Sequence, residues 1–339
     1  MVSRCTYPLY LTACMLFLSI VGSVSAKTFK WQEVKISGRR YIPANSISEF
    51  YRFHKKSIEG NVIRFIYYDA RGKTKLTMTA RVGSQTLMMN TIKFILSYPV
   101  TKHKGHFVFS RLDLCKLIDP VLRPKSIVKG PVFDTVVIDP GHGGHDSGAA
   151  CALGKESNFA LNTANHLKRE LQKRGYKVVM TRTSDRFITL GNRVKFANRY
   201  KNAIFISLHY NSGQSAASGI ETFALSPQGS SSTYTGRRSS DYLNFEGNGN
   251  DGENIALSTA IHAGAIKSLP GTKDRGIKRA RWNVLTGLKI PGTLYEGGFL
   301  SNSREARKIA SESYRKQIAK ALAEGIENYK EALIKKRRR

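Results

Sequence analysis

The sequence predicts an α/β protein with a mostly parallel central sheet, helices on both faces, and a small α+β domain ahead of it. Three observations carry this prediction. Between residues 132 and 331, short β-branched runs alternate with longer segments of helical apolar spacing, the pattern of strand–helix–strand units. Residues 27–128 instead hold closely spaced strand-like stretches with little helix. Asp119-Pro120 and Pro124 then punctuate the chain as a linker between the two regions. At 339 residues, the chain is long enough for two domains with real cores.

The first 26 residues read as an export signal. Arg4 precedes the apolar run 10–24, and Val24-Ser25-Ala26 forms a small-x-small cleavage pattern before Lys27. The run is short for a membrane span and is followed by polar sequence, so no stable transmembrane helix is expected after processing. Leu11-Thr12-Ala13-Cys14 loosely matches a lipoprotein box, but most of the apolar run follows Cys14, which argues against a lipid anchor there. The expectation is an exported protein of the periplasm or cell envelope. Removal of the signal takes Cys5 and Cys14 with it. Cys115 and Cys151 remain, and one pair is no disulfide framework, so both are read as small apolar packing residues.

In the region 27–128, strands are predicted at 62–68, 76–81, 93–95 and 107–110, with helices at 46–53 and 111–117. His54, His103 and His106 are scattered in basic, polar context and read as surface residues. In the region 132–331, strands are predicted at 136–138, 178–180, 203–208, 220–225, 283–285 and 293–295. Helices are predicted at 158–174, 190–199, 255–269 and 314–333. The polar stretch 226–253, rich in Ser, Gly, Asn, Arg and Tyr, is long for a loop in a compact domain and reads as a functional flap or insertion. The basic end, 332–339, reads as a solvated tail.

The net charge of +31 points to an anionic partner. For an exported chain, that means wall polymers with carboxylates and phosphates, or anionic lipid surfaces. Nucleic acid is disfavoured by the export signal and by the lack of any recognisable nucleic-acid motif.

The chemistry is carried by residues at strand ends. An apolar strand at 136–138 ends in Asp139, a Pro-Gly turn and then His142. Glu156 stands just before Ser157, a candidate cap for the helix that follows, and His209 ends the strand 203–208. Two imidazoles and one carboxylate, with a fourth position left for water, make a catalytic zinc set. The spacings of fourteen and fifty-three residues are too loose to identify a metal site alone, but all three residues fall near one rim of the predicted sheet. Glu296, at the end of another apolar strand, is a candidate proton carrier beside them. A structural salt bridge from Glu296 to Arg275 or Arg279 is the alternative.

These positions carry a family resemblance. Residues 137–149 (VIDPGHGGHDSGA), Lys155-Glu156, residues 207–211 (SLHYN) and 294–302 (LYEGGFLSN) resemble the zinc-dependent N-acetylmuramoyl-L-alanine amidases of the amidase_3 family. Arg275-Gly276, Val284-Leu285, Pro291 and Glu305-Ala306 fit the later blocks, and the likeness spans about residues 133–331. It implies one Zn²⁺ per chain held by His142, Glu156 and His209, with Glu296 as the catalytic glutamate. It also implies a peptidoglycan hydrolase acting on the amide between the lactyl group of N-acetylmuramic acid and L-alanine, in wall remodelling or septal splitting. Tyr210 stands where the family commonly has a small residue, and Gly297 where it has an apolar one; Tyr210 is expected to narrow or stack along the substrate groove. The stretch 226–253 falls where some members carry regulatory elements, which implies an activator acting on it.

Asp139 and Asn211 are candidates for orienting the two histidines. Arg182, Arg193 and Arg275 are candidates for meeting substrate carboxylates. His145 reads as a loop residue, and His166 and His262 as structural. In the N-terminal region, Tyr41-Ile42-Pro43, the helix after it, and residues 107–110 leading into 111–117 resemble the N-terminal domain shared by copper amine oxidases and many bacterial wall proteins. This implies a binding or spacing module without copper chemistry. A non-catalytic glycan-binding module with a vestigial zinc site is the competing reading, and the presence of all four chemical residues argues against it.

Overall fold

The computed structural model describes residues 29–127, 132–233 and 235–334. The expected export signal, Cys5, Cys14 and the basic run after residue 334 lie outside the described residues. Six strands form the centre of the C-terminal region: β1 (Thr135–Pro140), β2 (Lys177–Met180), β3 (Ala203–Asn211), β4 (Ile220–Leu225), β5 (Asp274–Ala280) and β6 (Gly292–Phe299). Their order is β2-β1-β3-β6-β4-β5, and every neighbouring pair is parallel except β4 with β6. The fold is α/β, as the alternation of strands and helices predicts.

Helices α1 (Glu156–Lys173), α3 (Asp251–Ser268) and α4 (Glu312–Ile334) cover one face of this sheet, around Leu167, Leu171, Leu257, Ile261, Leu322 and Ile326; α2 (Leu190–Ala197) and the short helix Asn283–Thr286 cover part of the other, around Phe205, Phe223, Leu225, Leu285 and Leu294. In α3 almost the whole first three turns are buried, polar residues included, so the helix shows no single apolar stripe.

The sheet does not stop at β5. Ile277 pairs with Phe94, and the N-terminal strands Ile92–Ile95, Thr86–Met89, Thr74–Arg81, Val62–Tyr68 and Lys55–Glu59 continue it as an antiparallel meander to eleven strands. The Asp274 carboxylate fastens this join by accepting the Lys93 amide at 2.9 Å and contacting His262 Nε2 at 3.0 Å. The N-terminal region adds a separate four-stranded sheet and the helix Ala44–Phe50.

Three local expectations differ from the structure. Residues 283–285 form a helix rather than a strand, because Val284 and Leu285 are a short apolar pair that caps the sheet face instead of joining it. Strand β5 is absent from the expected elements because Asp274, Arg275, Lys278 and Arg279 hide a buried strand behind charges. The helix after Arg111 does not yield to a linker at Asp119-Pro120. It passes through a π-helical stretch, Leu114–Ile118, into Asp119–Leu122, where Pro120 sits in the first turn and Val121 and Leu122 are buried.

Helices α3 and α4 cross at two glycines. A Cβ on Gly264 would lie 2.8 Å from the Ala321 carbonyl oxygen, and one on Gly325 would lie 2.7 Å from that of Ala260. Glycine normally costs a helix about 1 kcal/mol relative to alanine. Here the gain from alanine is outweighed, because the obstructing atoms are backbone. Gly325→Ala is expected to lower stability by roughly 1–3 kcal/mol, read as a shift in the denaturant midpoint; an increase would refute the close crossing.

Candidate metal centre

Three side chains converge at the carboxyl ends of β1 and β3. His142 Nε2 lies 3.1 Å and His209 Nδ1 lies 2.9 Å from Glu156 Oε1, and one donor atom from each residue falls within 4.8 Å of the others. The chain makes this possible with glycine. A Cβ on Gly141 would sit 2.2 Å from His209 Cε1, and one on Gly148 would sit 2.5 Å from Glu156 Oε2 and 2.6 Å from His142 Cδ2. His142 itself has φ of 59°, a left-handed conformation that is uncommon outside glycine and is found where a site fixes it.

Each candidate ligand is braced. His142 Nδ1 contacts both Asp146 oxygens at 2.9 Å, and a tight Gly143–Asp146 turn holds that carboxylate in place. Glu156 is the first residue of α1, where a negative charge faces the positive end of the helix dipole. Ser157 is therefore not the cap expected from the sequence; Lys155 occupies that position, and the Ser157 carbonyl accepts from Arg182. Glu156 also accepts the amides of Ala149 and Tyr210. Burial alone would push its pKa up, but the hydrogen bonds from His142 and His209 and their charge outweigh this and hold it well below the usual carboxylate range.

Glu296 stands beside this group by strand register. On parallel β3 and β6 it is the partner of His209, and on antiparallel β4 and β6 it is the partner of Glu221. Its Oε2 is buried without a hydrogen-bond partner among the described residues. Burial, then repulsion from Glu156 and Glu221, raise its pKa well above the ordinary value, and Lys278 offsets only part of this. Glu221, by contrast, is committed: Lys278 Nζ contacts it, Arg275 Nε donates to it at 2.8 Å, and Asn211 Nδ2 donates to it at 2.6 Å. The salt bridge from Glu296 to Arg275 or Arg279 is not formed, because Arg275 serves Glu221 and Arg279 reaches the carbonyls of Leu225 and Lys116. A cavity of about 790 Å³ opens over Glu296 and is lined also by Asn211, Glu221, Arg275 and Phe299.

Several expected roles are corrected. Asp139 touches neither histidine; fully buried, it accepts from Thr181 Oγ1 at 2.6 Å, Arg193 Nη1 at 2.7 Å and Ser207 Oγ at 2.8 Å. Asn211 serves Glu221 rather than His209. Arg182 and Arg193 are 0% and 2% exposed and cannot meet a substrate carboxylate. They hold the backbone of the histidine loop instead: Arg182 donates to the carbonyls of Pro140 and Gly141, and Arg193 to those of Pro140 and His142. Of the three arginines, only Arg275 lines the cavity, its guanidinium 4.6 Å from the centre of the Phe299 ring. His145 lies against Phe187, and His262 is buried between Thr222 and Asp274.

Tyr210 does not line the groove. It is 2% exposed and its hydroxyl pairs with Thr163 Oγ1 at 2.6 Å. Its ring fills the space that a side chain at position 297 would need, since a Cβ on Gly297 would lie 2.8 Å from Tyr210 Cε1. Positions 210 and 297 thus share one volume. They meet at a β-bulge, where Gly297 and Gly298 of β6 face Tyr210 alone, a device that re-aims neighbouring side chains. Asp146, not singled out in the sequence, has one signal there: a carboxylate four residues after His142 in the same glycine turn.

The donor set suits a borderline metal such as zinc: two imidazoles and one carboxylate, all partly or fully sheltered. Comparison with known proteins identifies a family. The family model Amidase_3, N-acetylmuramoyl-L-alanine amidase, matches residues 136–328. The uncharacterized protein YqiI of Bacillus subtilis is 36% identical over 196 residues, covering 58% of this chain and 84% of YqiI. The N-acetylmuramoyl-L-alanine amidase AmiA of Escherichia coli is 30% identical over 217 residues, covering 57% of this chain and 75% of AmiA. The solved catalytic domain of CwlV, an N-acetylmuramoyl-L-alanine amidase from Bacillus (Paenibacillus) polymyxa, is 31% identical, covers 58% of this chain and 98% of that domain, and superposes with a TM-score of 0.48.

The glycine seat gives a direct test. Gly141→Ala is expected to displace the His209 ring and to weaken zinc binding by roughly 10–100-fold, measured by competition with a chromophoric chelator. Unchanged affinity would show that Gly141 does not set the His209 position.

Proposed function

The chain belongs to the Amidase_3 family of N-acetylmuramoyl-L-alanine amidases, and on that premise we propose that it is a zinc-dependent, exported peptidoglycan hydrolase. Its reaction is cleavage of the amide that joins the lactyl group of N-acetylmuramic acid to L-alanine. The observation that carries this reading is the convergence of His142, Glu156 and His209 with Glu296 in register beside His209.

His142, Glu156 and His209 are the residues that would hold the metal. Bound there, Zn²⁺ supplies a Lewis acid that polarises a carbonyl oxygen and lowers the pKa of water toward about 7. The chain's own work is proton transfer and positioning. Glu296 takes a proton from the attacking water and returns it to the departing amine nitrogen of L-alanine. Asp146 fixes the His142 ring from behind.

The domain reading that goes with this activity assigns residues 132–331 to catalysis and 27–128 to a binding or spacing unit. Peptidoglycan lies outside the cytoplasmic membrane, so the enzyme must be exported, to the periplasm or cell envelope. None of the described helices is long and apolar enough to cross a membrane. The excess of cationic residues gives long-range attraction to an acidic polymer. An activator acting on residues 226–253 would work indirectly. Because β4 runs antiparallel to β6, this segment leaves the sheet at the end away from Glu296. It is braced there by Arg281, which donates to the Asp241 carboxylate and to the carbonyls of Pro227 and Ser230.

The test is mass spectrometry of products from intact peptidoglycan. The wild-type protein is expected to release free stem peptides beginning with L-alanine, and a chelator to stop it. Glu296→Gln is expected to lower the rate about 10²–10⁴-fold while zinc stays near one per chain. Full activity in that variant, or no stem peptide from wild type, would overturn the assignment.

A further inference from the structure

The cavity over Glu296 extends away from the candidate ligands to a second group of residues. It is lined there by Phe223 and Trp282. Phe223 lies two residues beyond Glu221 on β4, so both side chains share one face of the sheet. Glu221 is level with Glu296, which places Phe223 about 7 Å further along the same face. The Trp282 ring packs edge-to-face on Phe223, with centroids 5.7 Å apart and planes at 84°.

Trp282 is 44% exposed, although a side chain of its size and apolar area is usually largely buried. Other large apolar side chains are exposed on this molecule, but among those described only Trp282 opens onto the cavity that holds Glu296. Its mounting is rigid. The Trp282 carbonyl accepts the amides of Leu285 and Thr286, and its neighbour Arg281 is locked to Asp241 and to the carbonyls of Pro227 and Ser230. A fixed, half-exposed indole face at one end of a groove suits a ligand with one flat apolar face and a polar rim. Pyranose rings have that form: axial C–H groups on the face, hydroxyls and acetamido groups at the edge. The other end of the groove differs in kind. Arg275 and Asn211, both bonded to Glu221, lie there with the loop from Ser212 to Gln214, a polar lining that suits a peptide.

Resting on the amidase reading above, we propose that Trp282 is the sugar platform of the groove, stacking a pyranose of the glycan strand so that the lactyl amide is presented to Glu296. The residue is a specificity determinant of the substrate and takes no part in proton transfer. Because stacking holds substrate and transition state alike, its loss acts on KM rather than kcat.

The experiment uses the zinc-loaded full chain with soluble glycan–peptide fragments of peptidoglycan. Trp282→Ala is expected to raise KM about tenfold, in keeping with the loss of one aromatic stacking contact, with kcat within about twofold and zinc per chain unchanged. Trp282→Phe is expected to recover most of the loss and serves if the alanine variant does not fold. Binding is read separately from hydrolysis. Peptide-free glycan strands are expected to shift the tryptophan emission of Glu296→Gln but not that of Glu296→Gln/Trp282→Phe, where Trp31 remains as the internal reference. A KM within twofold of wild type in Trp282→Ala, a loss confined to kcat, or an emission shift that survives in the double variant each overturns the proposal. An emission shift that depends on Trp282, when the wild-type chain releases no stem peptide, keeps the platform and overturns the amidase reading instead.

Discussion

The site depends on one buried ion pair. Asp139, at the end of β1, and Arg193, on α2, meet at 2.7 Å with almost no exposure on either side. Around that contact the Asp139 carboxylate also gathers Thr181 and Ser207, so that the ends of three adjacent strands and one helix share a single polar hub. The remaining donors of Arg193 go to the carbonyls of Ile188, Pro140 and His142. A pair buried this deeply contributes little net stability by itself. Removing one partner leaves a charge stranded in the interior, at a cost of about 3–5 kcal/mol. What the pair provides is position: it holds the loop that carries His142 in a left-handed conformation that the chain would not otherwise keep.

From that hub the rest of the centre follows by register. Parallel β3 and β6 bring His209 level with Glu296, and the reversed strand β4 brings Glu221 level with both. Two carboxylates side by side in the interior would repel each other, and the chain separates their tasks. Glu221 is bound by a lysine, an arginine and an amide, while one oxygen of Glu296 has no hydrogen-bond partner among the described residues. The difference between the two carboxylates is thus made by their neighbours, not by residue type.

How much of this is legible in the sequence depends on what each residue's neighbours conceal. The candidate ligands and Glu296 can be singled out because each ends an apolar strand or opens a helix, and strand ends are where such sheets bind ligands. Their convergence within 4.8 Å needs the glycines at 141 and 148, whose purpose shows only when the space around them is filled. Arginine is the residue the sequence misleads on most. Arg182 and Arg193 look like surface cations, yet both are interior braces for backbone carbonyls, and nothing in a linear pattern distinguishes the two situations. Strand β5 hides for the same reason, because Lys278 and Arg279 are buried charges in a run that reads as loop. Asp139 and Asn211 stand next to the right residues in sequence but point to other partners in space.

The exchange of bulk between Tyr210 and Gly297 has a consequence for portability. The two positions lie on neighbouring strands and share one volume, so neither strand is an independent part. A segment transplanted from a relative with a small residue at 210 would leave a void under the bulge, and one with a larger residue at 297 would collide with the tyrosine ring. Only a paired replacement keeps the packing, because the two positions share one volume. Chimeras between this chain and other members of the family must therefore be cut outside both strands.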